Sequence, residues 1–234
     1  MKFPVYIMQN RHIDRISAAD IDIILASVFD QPLDRLGFEK VNQRKWVRAT
    51  KPDIREMFAI LAMKGASYSP AWGFSLDYVP HISGNKLKWH RTNKSALFDF
   101  RYDPLDYKTI GNFDLESWRI DSLYGKEKAI KQARQVAKIS IEQANQLWNS
   151  IQNPNDIPRV FEEQLRLTKE RKVQRFGFFN YTQHPIAYAF TLAKIGEREK
   201  ARKMLEETIQ RGGVAQKCED DLKQKLSDLL ALEN

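Results

Sequence analysis

Hydrophobic residues change period twice along these 234 residues, and that change limits what the chain can fold into. A stripe at helical spacing comes first: Ile21, Ile24, Leu25, Val28, Phe29, Leu33 and Leu36. From Met57 to Met63 every residue is apolar, as in a central strand covered on two sides. Trp72, Phe74, Leu76 and Tyr78 then alternate with Ala71, Gly73, Ser75 and Asp77, which predicts one buried face and one wet or lightly covered face. Phe98, Phe100 and Tyr102 alternate with Leu97, Asp99 and Arg101 in the same manner. From about Tyr124 the helical period returns. The pattern predicts an α+β protein in which an N-terminal helix lies on an antiparallel sheet and a C-terminal helical bundle follows. We place the division at residues 1–112 and 113–234, with the second part packed on the first.

Local punctuation supports this division. Ser17 and Asp20 offer N-caps to the first helix. Pro32 is expected to kink or split it, and Gly37 to close it as a C-cap would. Residues 38–48 and 86–91 read as additional strands, with polar turns at Thr50–Asp53 and Ser83–Asn85. Loops this short favour an antiparallel meander. In the rear portion Ile130, Ala133, Val136, Ala137, Ile141, Ala144, Leu147, Trp148 and Ile151 make one long stripe. Asn153–Asp156 ends it and caps a second helix with Ile157, Val160, Phe161 and Leu165 turned inward. Pro185 suits a first helical turn, and Gly196 and Gly212-Gly213 separate the helices that follow.

Leu36-Gly37-Phe38, followed eight residues on by Trp46, resembles a family of uncharacterised bacterial domains. Members open with a helix, an LGF-type turn and an antiparallel sheet. The resemblance spans residues 25–105, implies the same α+β topology and carries no functional residue with it. A second stretch is similar to a tetratricopeptide hairpin: Ala189, Leu192 and Ala193 lead through Lys194–Glu197 to Ala201. Such arrays need about three stacked units. No 34-residue recurrence flanks this one, so an ordinary helical hairpin is the plainer reading.

Function is narrowed mainly by what is missing. One cysteine, Cys218, rules out an internal disulfide framework and suits a reducing compartment. No run of 18 apolar residues and no signal-like N-terminus occurs, so a cytoplasmic protein without a membrane partner is expected. His12, His81, His90 and His184 have no metal-ligand spacing among themselves or with Cys218. GxGxxG, GxxxxGK[ST] and GxSxG are absent, so neither an enzyme nor a cofactor is expected. Net charge is +8, shared as +5 over residues 1–112 and +3 over the rest. Charge spread in this way raises weak affinity for any polyanion without marking a site.

Two functions of different class remain. The first is a non-enzymatic bacterial module that binds another protein, neutralising or escorting it. Trp72, Tyr78, Phe178, Phe179 and Tyr181 would be its anchors if exposed, because large rigid rings dominate interfaces. The second is nucleic-acid binding through the cations between Lys40 and Lys94. Arg44, Lys45, Trp46, Arg48, Lys88, Trp89 and Arg91 would then hold phosphates and stack bases. Against it stands the reading in which the tryptophans face the core and the cations decorate edge strands. Arg166, Lys169, Arg171, Lys172 and Arg175 read as a solvated helix end. Phe176-Gly177-Phe178-Phe179-Asn180-Tyr181 carries too many rings for one helical face, and is expected to dock the helical tail on the front half.

Overall fold

In the computed structural model, residues 14–104, 115–173, 177–212 and 214–232 are described. Expectations for His12, Arg175, Phe176 and Gly213 lie outside them, as does the proposed division at residue 112. Helix α1 runs from Ala18 to Arg35. The Ser17 hydroxyl oxygen caps it by accepting from the Asp20 N–H at 3.1 Å. Pro32 does not split the helix, because it sits in the last turn, where only one backbone bond is forfeited. Gly37, at φ +82°, reverses the chain. Its N–H donates to the Asp34 carbonyl and that of Phe38 to the Leu33 carbonyl, a Schellman closure.

Residues 38–48 make parts of two strands instead of one. β1 (Glu39–Asn42) and β2 (Lys45–Lys51) form a hairpin, followed by β3 (Ile54–Met63) and β4 (Ser67–Leu76). β5 (His81–Ser83) and β6 (Lys86–Lys88) form a separate small hairpin. β7 (Phe100–Tyr102) and β8 (Ile120–Asp121) pair with different stretches of β4, completing an antiparallel sheet ordered β1-β2-β3-β4-β7. β4 departs from its expected one-sided burial, since all ten residues are buried. Its far-side residues, Ser67, Ser69, Ala71, Gly73 and Ser75, are small and buried as well.

Helices α2 (Lys126–Ser150), α3 (Pro158–Lys169), α4 (Gln183–Lys194), α5 (Arg198–Gln210) and α6 (Glu219–Leu232) form the rear portion. One sheet face serves all of it. Trp46, Phe58 and Trp72 sit side by side across β2, β3 and β4. With Phe29 they make the core beneath α1 and α2. Phe74 and Phe100, one pleat along, join Phe161, Phe178, Tyr188 and Phe190 beneath α3 and α4, and that cluster continues to Leu222 and Leu226 of α6. Each such ring contributes about 1.5–3 kcal/mol on burial. The apolar core therefore crosses the expected division. On the opposite face a smaller cluster joins Val47 and Met57 to Ala96.

α4 and α5 form the hairpin anticipated around Gly196, whose φ of +83° closes α4 as Gly37 closes α1. The Glu219-Asp220-Asp221 run occupies the first turn of α6, where carboxylates suit the helix dipole. Cys218 is buried just before it. Among the described residues no helix is long and apolar enough to cross a membrane.

Candidate functional site

α2 and α3 diverge over the β4–β7 edge of the sheet and leave a groove of about 600 Å³. Its floor is aromatic. Trp72 stacks on Tyr102 with centroids 4.6 Å apart, and Phe100 stacks on Phe74 at 5.2 Å. α2 supplies Gln143, Gln146 and Leu147 as one wall, and α3 supplies Val160, Gln164 and Leu167 as the other. Arg159, Glu163 and Lys172 stand at the rim. The volume lies within the roughly 300–1,000 Å³ of ligand pockets, and an apolar floor with a few polar groups is their usual make-up.

The rim charges differ in commitment. Glu163 is held below the usual carboxylate range by its hydrogen bonds from Arg166, the two nitrogens lying 2.7 Å away. Lys172 lies 2.6 Å from Glu170. Arg159 donates to the main-chain carbonyl of Ser150, so its guanidinium is fixed without being neutralised by that partner. Burial, and Asp103 after it, push the Tyr102 phenol up to about 12, so the floor stays uncharged at neutral pH. The groove can accept an apolar group and orient it by charge. Among the described residues it brings no nucleophile against a base.

Two clusters built on histidines lie outside the groove. His81 and His90, unremarkable by spacing, meet edge to face at 5.0 Å between centroids. His81 Nε2 is 2.9 Å from Asp99 Oδ1, near enough for an ion pair but off the line of a hydrogen bond. Asp99 also accepts from the Leu76 N–H at 2.7 Å and the Gln183 amide at 2.8 Å. The second cluster surrounds His184, which is fully buried. Its Nε2 accepts the Arg101 N–H at 3.2 Å and its ring stacks on Phe100. Burial first, then Arg101, lowers its pKa to about 3, so it is a neutral acceptor. No group of three or more His, Cys, Asp or Glu residues among those described is placed to hold a metal ion.

The expected site residues separate cleanly. Of the interaction set, Trp72, Tyr78 and Phe178 are buried. Trp72 alone of them lines the groove. Phe179 and Tyr181 are half-buried beneath Arg211 and Arg101 respectively. Of the nucleic-acid set, Trp46 is 1 % exposed and its indole N–H donates to Asp30, so it has no face for a base. Arg44 pairs with Asp22, Lys45 donates to the Ala96 carbonyl, and Arg48 pairs with buried Glu56. Lys88, Trp89 and Arg91 remain at the surface.

The groove walls were not legible in the sequence. Gln143, Gln146, Arg159 and Glu163 read only as the polar sides of amphipathic helices. Their one signal was position, flanking the inward stripes at Leu147 and Val160. Comparison with protein-family models, characterised proteins and solved structures finds no match to this chain.

Proposed function

We propose that the protein is a non-enzymatic interaction module that holds a partner protein by seating one apolar side chain of an acidic segment in the α2–α3 groove. The groove carries this reading: aromatic floor, two amide-bearing walls and the Arg159 guanidinium at the rim converge on one concave place. Charge complementarity selects an acidic segment. Arg159 is spent on a main-chain carbonyl rather than a carboxylate, and the whole chain carries +8. Anchors of this kind place most binding energy in one filled pocket.

The test is selection of displayed random dodecapeptides on the intact protein, with counter-selection on Val160→Arg, which fills the groove. The expected winners carry an aromatic or large aliphatic residue next to Asp or Glu. They should lose at least tenfold in affinity on Val160→Arg and severalfold on Arg159→Ala. Winners that bind both proteins equally, or no enrichment at all, would remove the reading.

A further inference from the structure

The cations of the front half divide into two populations, and the second has no structural employment. Arg44, Arg48, Lys51 and Arg55 are paired with Asp22, Glu56, Glu56 and Asp77. Lys86, Lys88 and Lys94 are exposed and make no ion pair among the described residues. Strand geometry gathers two of them. Leu87 turns into the core, so Lys86 and Lys88 point together to solvent, roughly 7 Å apart along β6.

Trp89 follows immediately and is 37 % exposed, unusual for so large an apolar ring in this protein. Arg91 covers part of it. The Arg91 guanidinium lies 4.3 Å from the ring centroid, and its Nε donates to the Asp77 carbonyl at 2.8 Å. Thr92 and Ser95 fasten the next turn, their hydroxyls 2.9 Å apart, and place Lys94 on it. Glu39 is one carboxylate at the edge of this surface, and it accepts from the Asn93 amide at 2.8 Å.

We propose that this outward surface, Lys86, Lys88, Trp89, Arg91 and Lys94, binds single-stranded nucleic acid. The lysines meet phosphates and the open part of the Trp89 indole stacks on a base. A strand supplies anions and planar rings at the same spacing, which is what unpaired lysines around an exposed indole can use. An acidic peptide would satisfy the lysines and leave the indole without a planar partner. A bilayer needs a broad apolar face. Trp89 and Leu97 are the only large exposed apolar residues of this segment. The surface is independent of the groove and stands or falls without it.

Fluorescence anisotropy with a labelled 20-nucleotide oligothymidylate and the full chain tests this. Three or four phosphate contacts predict an affinity loss of roughly 20- to 50-fold between 50 and 200 mM salt. Lys86→Ala with Lys88→Ala should flatten that salt dependence. Trp89→Ala should weaken binding by roughly fivefold or more while leaving it intact. Lys203→Ala with Lys223→Ala, exposed on α5 and α6, is the control and should change nothing. Equal losses in the two double variants would mean general basicity and overturn the proposal. So would salt-independent binding, or tighter binding to polyglutamate or to phosphatidylserine vesicles than to the oligonucleotide.

Discussion

The Trp148 indole N–H of α2 donates to the Gly73 carbonyl of β4 at 3.0 Å, both groups being buried. This bond fixes the C-terminal end of the long helix over the sheet edge that floors the groove. Trp148→Phe keeps a ring but removes the donor and leaves a buried carbonyl without it. The expected cost is about 2–3 kcal/mol, the loss of ring volume added to that of the hydrogen bond. Urea unfolding should show a lower midpoint with an unchanged slope. A loss below about 0.5 kcal/mol would mean that the bond does not organise this end of α2.

Glu56 is 2 % exposed on the helix-facing side of β3 and is met by Arg48 and Lys51 from β2. Those cations reach further. Arg48 donates to the Leu36 carbonyl at the end of α1, and Lys51 donates to the Trp148 carbonyl in the last turn of α2 at 2.8 Å. One buried carboxylate thus holds the charges that close two helix C-termini, where cations also suit the dipole. Glu56→Gln preserves the shape but leaves two cations without their anion. The expected destabilisation is about 3 kcal/mol. Replacing Glu56, Arg48 and Lys51 together with apolar residues should cost less than Glu56→Gln alone, which a three-way comparison of unfolding free energies would check.

Part of this arrangement was legible in the sequence and part was not, and Glu56 shows where the line falls. The turn at Pro52-Asp53 was readable, and so was antiparallel pairing across it. A regular two-residue turn would set Arg48 opposite Met57. An irregularity between Arg48 and Lys51 shifts the register so that Arg48 faces Glu56. Nothing in the residue pattern announces a bulge, so a basic cluster read as surface became an interior network. The helical stripes were legible because 3.6-residue spacing is local. The groove was not, because Trp72, Tyr102, Leu147 and Val160 lie far apart in the chain and meet only when α2 and α3 splay.

His184 should make the protein acid-sensitive. Its ordinary pKa is about 6.5, and burial together with Arg101 lowers it to about 3 in the folded chain. Between those values the unfolded state binds the extra proton, so stability rises with pH in that window and falls on acidification. The slope from this residue approaches about 1.4 kcal/mol per pH unit. His184→Gln, which keeps an acceptor for the Arg101 N–H, should be less stable than the parent at pH 7 and lose much less between pH 6.5 and 4.5. Parallel pH profiles for the two proteins would assign the acid sensitivity elsewhere.

Phe178 provides the sharpest check on how the rear helices are attached. Its ring is fully buried against Phe161 and Tyr188, and its N–H donates to the Thr168 hydroxyl at 2.8 Å. The adjoining Gly177 packs so closely that an added Cβ would lie 2.6 Å from the same hydroxyl. The connector from α3 to α4 is therefore clamped at both residues. Phe178→Ser removes the ring and puts a hydroxyl in an apolar site, an expected loss of about 3–5 kcal/mol. Local opening should then let trypsin cut at Lys172 several times faster than in the parent. Phe179 is the internal comparison. It is half-buried with the Arg211 guanidinium 3.8 Å from its centroid, so Phe179→Ser should accelerate cleavage far less. Equal digestion rates for Phe178→Ser and the parent would show that the connector's rings do not secure the tail, leaving that task to the α4 contacts with the sheet.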